Sequence, residues 1–124
     1  MEKIEIKLLR TKNCPGGDIA LERFKNVCKE FENELIDFRD IVLDIEDLEG
    51  AERERIFGSP TFLINGIDPF WDGEEGEEQE ITLGCRPYIT FIEIEGKRKR
   101  KIEKSPTEEM LREAINTACK EVKT

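Results

Sequence analysis

Residues 3–9, KIEIKLL, alternate polar and apolar side chains and then run apolar up to Thr11, Lys12 and Asn13, which predicts a strand. From Asp18 onward Ala20, Leu21, Phe24, Val27, Cys28, Phe31 and Leu35 recur at helical spacing. This predicts an amphipathic helix with Asp18 as its N-cap and Gly16–Gly17 as the turn before it. A second strand is expected over 38–45, with Ile41, Leu43 and Ile45 on one face. A short helix follows over 46–57, stopped by Gly58.

The tripeptide SPT occurs twice and predicts two different structures. Ser59-Pro60-Thr61 runs into Phe62-Leu63-Ile64, so Pro60 opens a strand, where proline is tolerated at the first position. Ser105-Pro106-Thr107 precedes Glu108 and a helical apolar spacing, so Ser105 is expected to cap a helix over 106–122. A strand is read over 86–95, with a turn at Glu95-Gly96 and a short returning strand over 99–103. Leu111, Ala114, Ile115, Ala118, Cys119 and Val122 form the inward stripe of the last helix.

These elements make one α/β domain over 1–124, interrupted by an acidic loop at about 67–84. That loop holds Asp68, Asp72, Glu74, Glu75, Glu77, Glu78 and Glu80, with no basic residue. Asp68, Asp72 and Gly73 fit three positions of a calcium loop, but Phe70 and Gln79 stand where ligands are required, so no metal is expected. Phe70 and Trp71 read as aromatic anchors that tuck the loop back onto the body. KRKRKIEK, 97–104, is the opposite extreme, with Glu103 its single acid.

Composition narrows the chemistry. The net charge is −9, which argues against nucleic acid as a partner. No window is long and apolar enough to predict a membrane span, and MEKIEIKLLR has no signal-like apolar run, so a cytoplasmic location is expected. The Glu and Lys load with a single Gln matches thermophilic composition. There is no histidine, which removes Ser-His and Cys-His dyads and His-ligated zinc. The remaining nucleophiles of interest are Cys14, Cys28, Cys85 and Cys119, none of them in a CxxC pair.

Cys14 falls between the first strand and the first helix, where unpaired helix amides favour a thiolate. Arg10 and Lys12 are expected to add positive charge, and Gly16 and Gly17 to clear an approach to the sulfur. With Gly17 in place of a second cysteine, a mixed disulfide on Cys14 needs another thiol to resolve it. Cys28 lies about 21 Å away along the helix. Cys85 ends the acidic loop, yet the strand opening at Pro60 should run away from Cys14. Only a loop folded back, or a second subunit, would bring Cys85 to it. Cys28 and Cys119 both lie on apolar stripes, open to two readings: buried structural thiols or a disulfide between them.

The set Cys14-Pro15-Gly16-Gly17, then GSPTFLINGIDPF, then GCRPY, in this element order, resembles the small prokaryotic thioredoxin-like proteins, with a single active-site cysteine. The resemblance implies a three-layer α/β/α sandwich around a mixed four- or five-stranded sheet. It implies Cys14 as the nucleophile and Pro60 as the substrate-facing residue, with Pro15, Gly16, Gly17, Ser59 and Thr61 around the substrate. The expected activity is monothiol thiol–disulfide exchange on a protein disulfide or a small thiol. No cofactor is expected beyond glutathione or another low-molecular-weight thiol. The alternative is a non-catalytic module binding a protein or a soft metal through Cys14, with Cys85. The oligomeric state is left open, a dimer included.

Overall fold

The computed structural model describes residues 3–71, 73 and 77–122. Strand β1 (Ile4–Thr11) leads through Asn13, in the left-handed region at φ 60°, into helix α1 (Pro15–Cys28). A short 3-10 turn (Asn33–Leu35) enters β2 (Ile36–Leu43). Helix α2 (Leu48–Glu54) precedes β3 (Phe57–Ser59), and β4 (Thr61–Ile64) follows directly after Pro60. After the acidic loop come β5 (Thr82–Cys85), β6 (Tyr88–Ile94), β7 (Lys97–Glu103) and helix α3 (Glu108–Val122). The Ser59–Pro60 peptide bond is cis.

β1 is central, parallel to β2 and antiparallel to β4. Its side chains alternate between two cores, as strand geometry requires. Ile4, Ile6 and Leu8 pack with Phe24 and Val27 of α1 and with Leu111 and Ile115 of α3. Leu9 packs on the other side with Leu43, Ala51, Ile56, Leu63 and Leu83. Helices thus cover both faces of the sheet, α1 and α3 on one and α2 on the other.

The expected single mixed sheet of four or five strands is divided into three separate sheets, β2-β1-β4, β3-β5 and β6-β7. Phe70 packs between β4 and β6. Its ring meets Phe62 of β4 edge-on at 6.3 Å and Tyr88 of β6 edge-on at 6.0 Å. Phe70 is the anchor expected of it, while Trp71 stays partly exposed.

Several boundaries differ from expectation for local reasons. Helix α1 begins at Pro15, because Cys14 itself is the N-cap and proline suits the first turn. Gly16 and Gly17 are helical, not a preceding turn. The helix ends at Cys28, and Phe31 and Leu35 lie beyond it. Thr107 rather than Ser105 caps α3, since its hydroxyl accepts from Met110 N–H at 3.2 Å. Ser105 instead donates to the Pro106 carbonyl. Residues 82–85, expected within a loop, form β5.

Candidate functional site

The Cys14 sulfur accepts the Gly17 N–H at 3.3 Å, so the thiol occupies the capping position normally filled by Ser or Asp. It also lies 3.9 Å from the Ser59 carbonyl oxygen, within the range of a weak S–H donor. The positive end of α1 faces the sulfur, an arrangement that complements negative charge there. Cys14 is only 7 % exposed, and it lines a cavity.

That cavity, about 310 Å³, is lined by Cys14, Pro15, Gly16 and Ser59 on one side. Cys85, Arg86, Pro87, Ile102, Glu103 and Lys104 complete it. Cys85 is exposed. The structure thus brings Cys14 and Cys85 to one cavity within one chain, through a strand that the sequence did not announce. β5 pairs parallel with β3, placing Cys85 opposite Ser59, and Arg86 N–H donates to the same Ser59 carbonyl at 3.0 Å. Gly58, at φ 102°, permits this: a Cβ there would meet the Arg86 Cβ at 2.8 Å.

Asp68 holds the acidic loop in this path. Its side chain is 2 % exposed, forms an ion pair with Arg86, and accepts from Gln79 at 2.6 Å and from Phe70 N–H at 2.9 Å. Arg86 also lies 4.7 Å over the Tyr88 ring. The Tyr88 hydroxyl donates to the Pro60 carbonyl, and burial pushes that phenol upward. Asp68, Arg86 and Tyr88 are therefore site residues that sequence reasoning missed; the DPF and CRPY motifs contained them, without a pattern that pairs them. Asp68, whose match to a calcium loop already fails in the sequence, is engaged in the salt bridge to Arg86, and Asp72 lies outside the described residues.

Other expectations change. Pro60 is fully buried and does not line the cavity; Ser59 stands there instead. Thr61 is buried too, paired with Leu9, its hydroxyl bridges Phe57 N–H and the Gly58 carbonyl, and it does not line the cavity. Gly17 is covered by Arg10, whose Cβ lies 3.0 Å from where a Gly17 Cβ would be. At Gly16 a Cβ would lie 2.5 Å from the Lys104 carbonyl, so that glycine lets the β7–α3 connection approach the helix start. Both glycines are explained by the chain's own packing, although Gly16 still lines the cavity.

Arg10 does not direct its charge to the sulfur alone. Its guanidinium bonds both Asp40 carboxylate oxygens, at 2.9 and 2.8 Å, and Asp18 at 3.0 Å. The Asp40 hydrogen bond raises its already high pKa. Lys12 pairs with Asp44 at 3.1 Å on the surface. The cavity's far wall is fixed by Arg23 of α1, which reaches the Ser105 and Pro106 carbonyls at 3.3 Å and Glu103 at 3.3 Å.

Of the two readings open for Cys28 and Cys119, the structure has the free thiols: both are partly buried against the α1–α3 side of the core, and no disulfide joins them. Desolvation pushes the Cys28 thiol from its ordinary 9.0 up to about 11. Among the described residues, no group of three or more acidic or cysteine side chains could hold a metal ion. No described helix is long and apolar enough to cross a membrane.

Comparison with models of known protein families finds no match, and the search of curated proteins finds no significant relative. The functional reading therefore rests on the site itself.

Proposed function

We propose that the chain is a thioredoxin-like thiol–disulfide protein in which Cys14 attacks and Cys85 resolves. The observation that carries this reading is that both sulfur-bearing residues line one cavity at the start of α1. Support also comes from the Gly17 N–H on the Cys14 sulfur, and from the parallel β1–β2 pair flanked by antiparallel β4.

The Cys14 thiolate attacks one sulfur of a substrate disulfide, and the other leaves as a thiolate that takes up a proton. Cys85, deprotonated, then attacks the Cys14 sulfur of the mixed disulfide and expels the second substrate thiolate. The substrate disulfide is reduced to two thiols and the protein dithiol is oxidised to Cys14–Cys85. A low-molecular-weight thiol such as glutathione returns it to the dithiol by two exchanges. In this reading the resolving thiol is in the same chain, where the monothiol expectation looks to an external thiol.

The reduced protein is to be mixed with a peptide disulfide, quenched in acid and weighed. The wild type yields free peptide thiols, Cys85→Ser stops as a peptide adduct on Cys14, and Cys14→Ser consumes the disulfide far more slowly. Equal consumption of the disulfide by the wild type and Cys14→Ser contradicts the reading.

A second reading draws on the same pair of sulfurs. Two thiolates facing one cavity suit a soft cation such as Cu(I), and the protein is then a binding module. Stoichiometric Cu(I) uptake lost in either cysteine variant, without disulfide turnover by the wild type, favours that reading.

A further inference from the structure

The β6–β7 hairpin is the most unusual surface of the molecule. Its strands pair only with each other, so both faces of the ribbon are open to solvent along most of its length. Ile89, Phe91, Ile92, Ile94 and Ile102 are between 38 % and 70 % exposed. A two-stranded ribbon with uncovered apolar rows is marginal in water, which favours a partner on it.

The register divides these side chains between two faces. Ile89 opposes Ile102, Phe91 opposes Arg100 and Glu93 opposes Arg98 on one face. On the other, Thr90, Ile92 and Ile94 oppose Lys101, Lys99 and Lys97. The two faces differ in where they lead. Ile102, 70 % exposed, also lines the cavity of Cys14 and Cys85. The first face is thus a strip that begins at the cavity with Ile102 and Ile89, continues over Phe91 and ends on Arg100 and Arg98, with Glu93 opposite Arg98 as its one acid. Arg98 lies 4.0 Å over the Phe91 ring.

Charge points the same way. In a chain of net charge −9, no described acid forms an ion pair with Lys97, Arg98, Lys99 or Arg100. Cations along β7 guard a strand edge against pairing. Guarding does not account for the exposed apolar row of β6, nor for a strip that runs into the thiol cavity.

We infer that this strip is the docking arm for the substrate of the cavity, an extended polypeptide segment that is apolar next to its disulfide and acidic beyond. The inference rests on the thiol–disulfide reading. Strand rise is about 3.4 Å per residue, which sets the expected spacing. The partner's apolar side chain lies about two residues from the reacting half-cystine, over Ile102 and Ile89. Its acidic side chains lie about four and six residues away, over Arg100 and Arg98. Apolar contact and charge pairing then hold the half-cystine at Cys14.

The test uses a synthetic peptide of that pattern, with the cysteine capped as a mixed disulfide by a small thiol, and a version with Lys replacing both Glu residues. Reduction of the Glu peptide is expected at least 10-fold faster than that of the Lys peptide. Arg98→Glu/Arg100→Glu removes the difference, whereas Lys97→Glu/Lys99→Glu, on the other face, leaves most of it. Turnover of a small uncharged disulfide stays unchanged in both variants. Fluorescence anisotropy of the same peptides with Ser replacing Cys reads docking without chemistry, so a failure of the thiol reading and a failure of the arm are distinguishable. Equal anisotropy for the Glu and Lys peptides, or equal losses in the two double variants, overturns the inference. Tighter binding of a short oligonucleotide than of the Glu peptide also overturns it. So does a dimer in sedimentation that Phe91→Lys converts to a monomer, since the strip is then buried between copies.

Discussion

Ser59 and Cys85 lie opposite one another in the parallel pair β3–β5, and the Ser59 carbonyl faces the Cys14 sulfur at 3.9 Å. One residue of backbone therefore links the two candidate redox positions. In the proposed reaction, resolution of a mixed disulfide on Cys14 depends on that link.

The loop anchor is the first place to disturb it. Asp68 and Arg86 form an ion pair with side chains 2 % and 12 % exposed. Asp68→Ala strands the guanidinium and is expected to cost about 3 kcal/mol. It should also slow formation of the Cys14–Cys85 bond, because β5 loses its tie. Asp68→Ala/Arg86→Met should recover much of the stability in urea unfolding. Additive losses in the double variant contradict a coupled pair.

Packing at the helix start gives a second prediction. Gly16→Ala places a methyl group 2.5 Å from the Lys104 carbonyl, where backbone has to move. Destabilisation of about 1–3 kcal/mol is expected, with faster alkylation of Cys14 as the cavity wall shifts. A Gly16→Ala protein with unchanged urea midpoint and unchanged Cys14 reactivity refutes this account of the glycine.

Cys28 supplies a third. Its thiol is raised from 9.0 to about 11 by desolvation. At pH 8 its thiolate fraction, and hence its iodoacetamide rate, is expected about 100-fold below that of an unperturbed thiol. The rate should climb about tenfold per pH unit until near pH 11. Because the folded value lies above the unfolded one, the contribution to stability is complete below pH 9 and is lost as pH rises through about 11. Alkylation at the rate of a free peptide cysteine contradicts the burial.

The cavity wall is sensitive to acid. Desolvation opposes ionisation of Glu103, but hydrogen bonds from Lys101 and Arg23 outweigh it and hold the carboxyl below its usual range. A depressed folded value means stability present above the unfolded value, about 4.3, and lost as pH falls below it. Glu103→Gln should therefore flatten the acid limb of the unfolding profile. Identical acid limbs for Glu103→Gln and the wild type refute the clamp.

Much of this arrangement was legible in the chain, and the remainder has physical reasons for being hidden. The alternation of 3–9 and the spacing of Ala20, Phe24 and Val27 fixed the central strand and its helix, since each reports a local period. Cys14 stood out because strand and helix meet there. β5 was hidden because Thr82-Leu83-Gly84-Cys85 is too short to display a period, and its pairing is specified by contacts distant in sequence, from Asp68 to Arg86 and from Ser59 to Cys85. The cap of α3 was misassigned because Ser105 and Thr107 flank Pro106, and only the fold decides which hydroxyl reaches an amide. Pro60 was expected to face a substrate, but Tyr88 and the core enclose it.

The most direct test of the central claim is a peptide map of the protein after mild oxidation, with free thiols blocked before digestion. The account predicts one Cys14–Cys85 disulfide, formed at a rate independent of protein concentration, with Cys28 and Cys119 recovered as blocked thiols. Oxidised protein in which Cys14 and Cys85 remain free, or are joined only between chains, would contradict it.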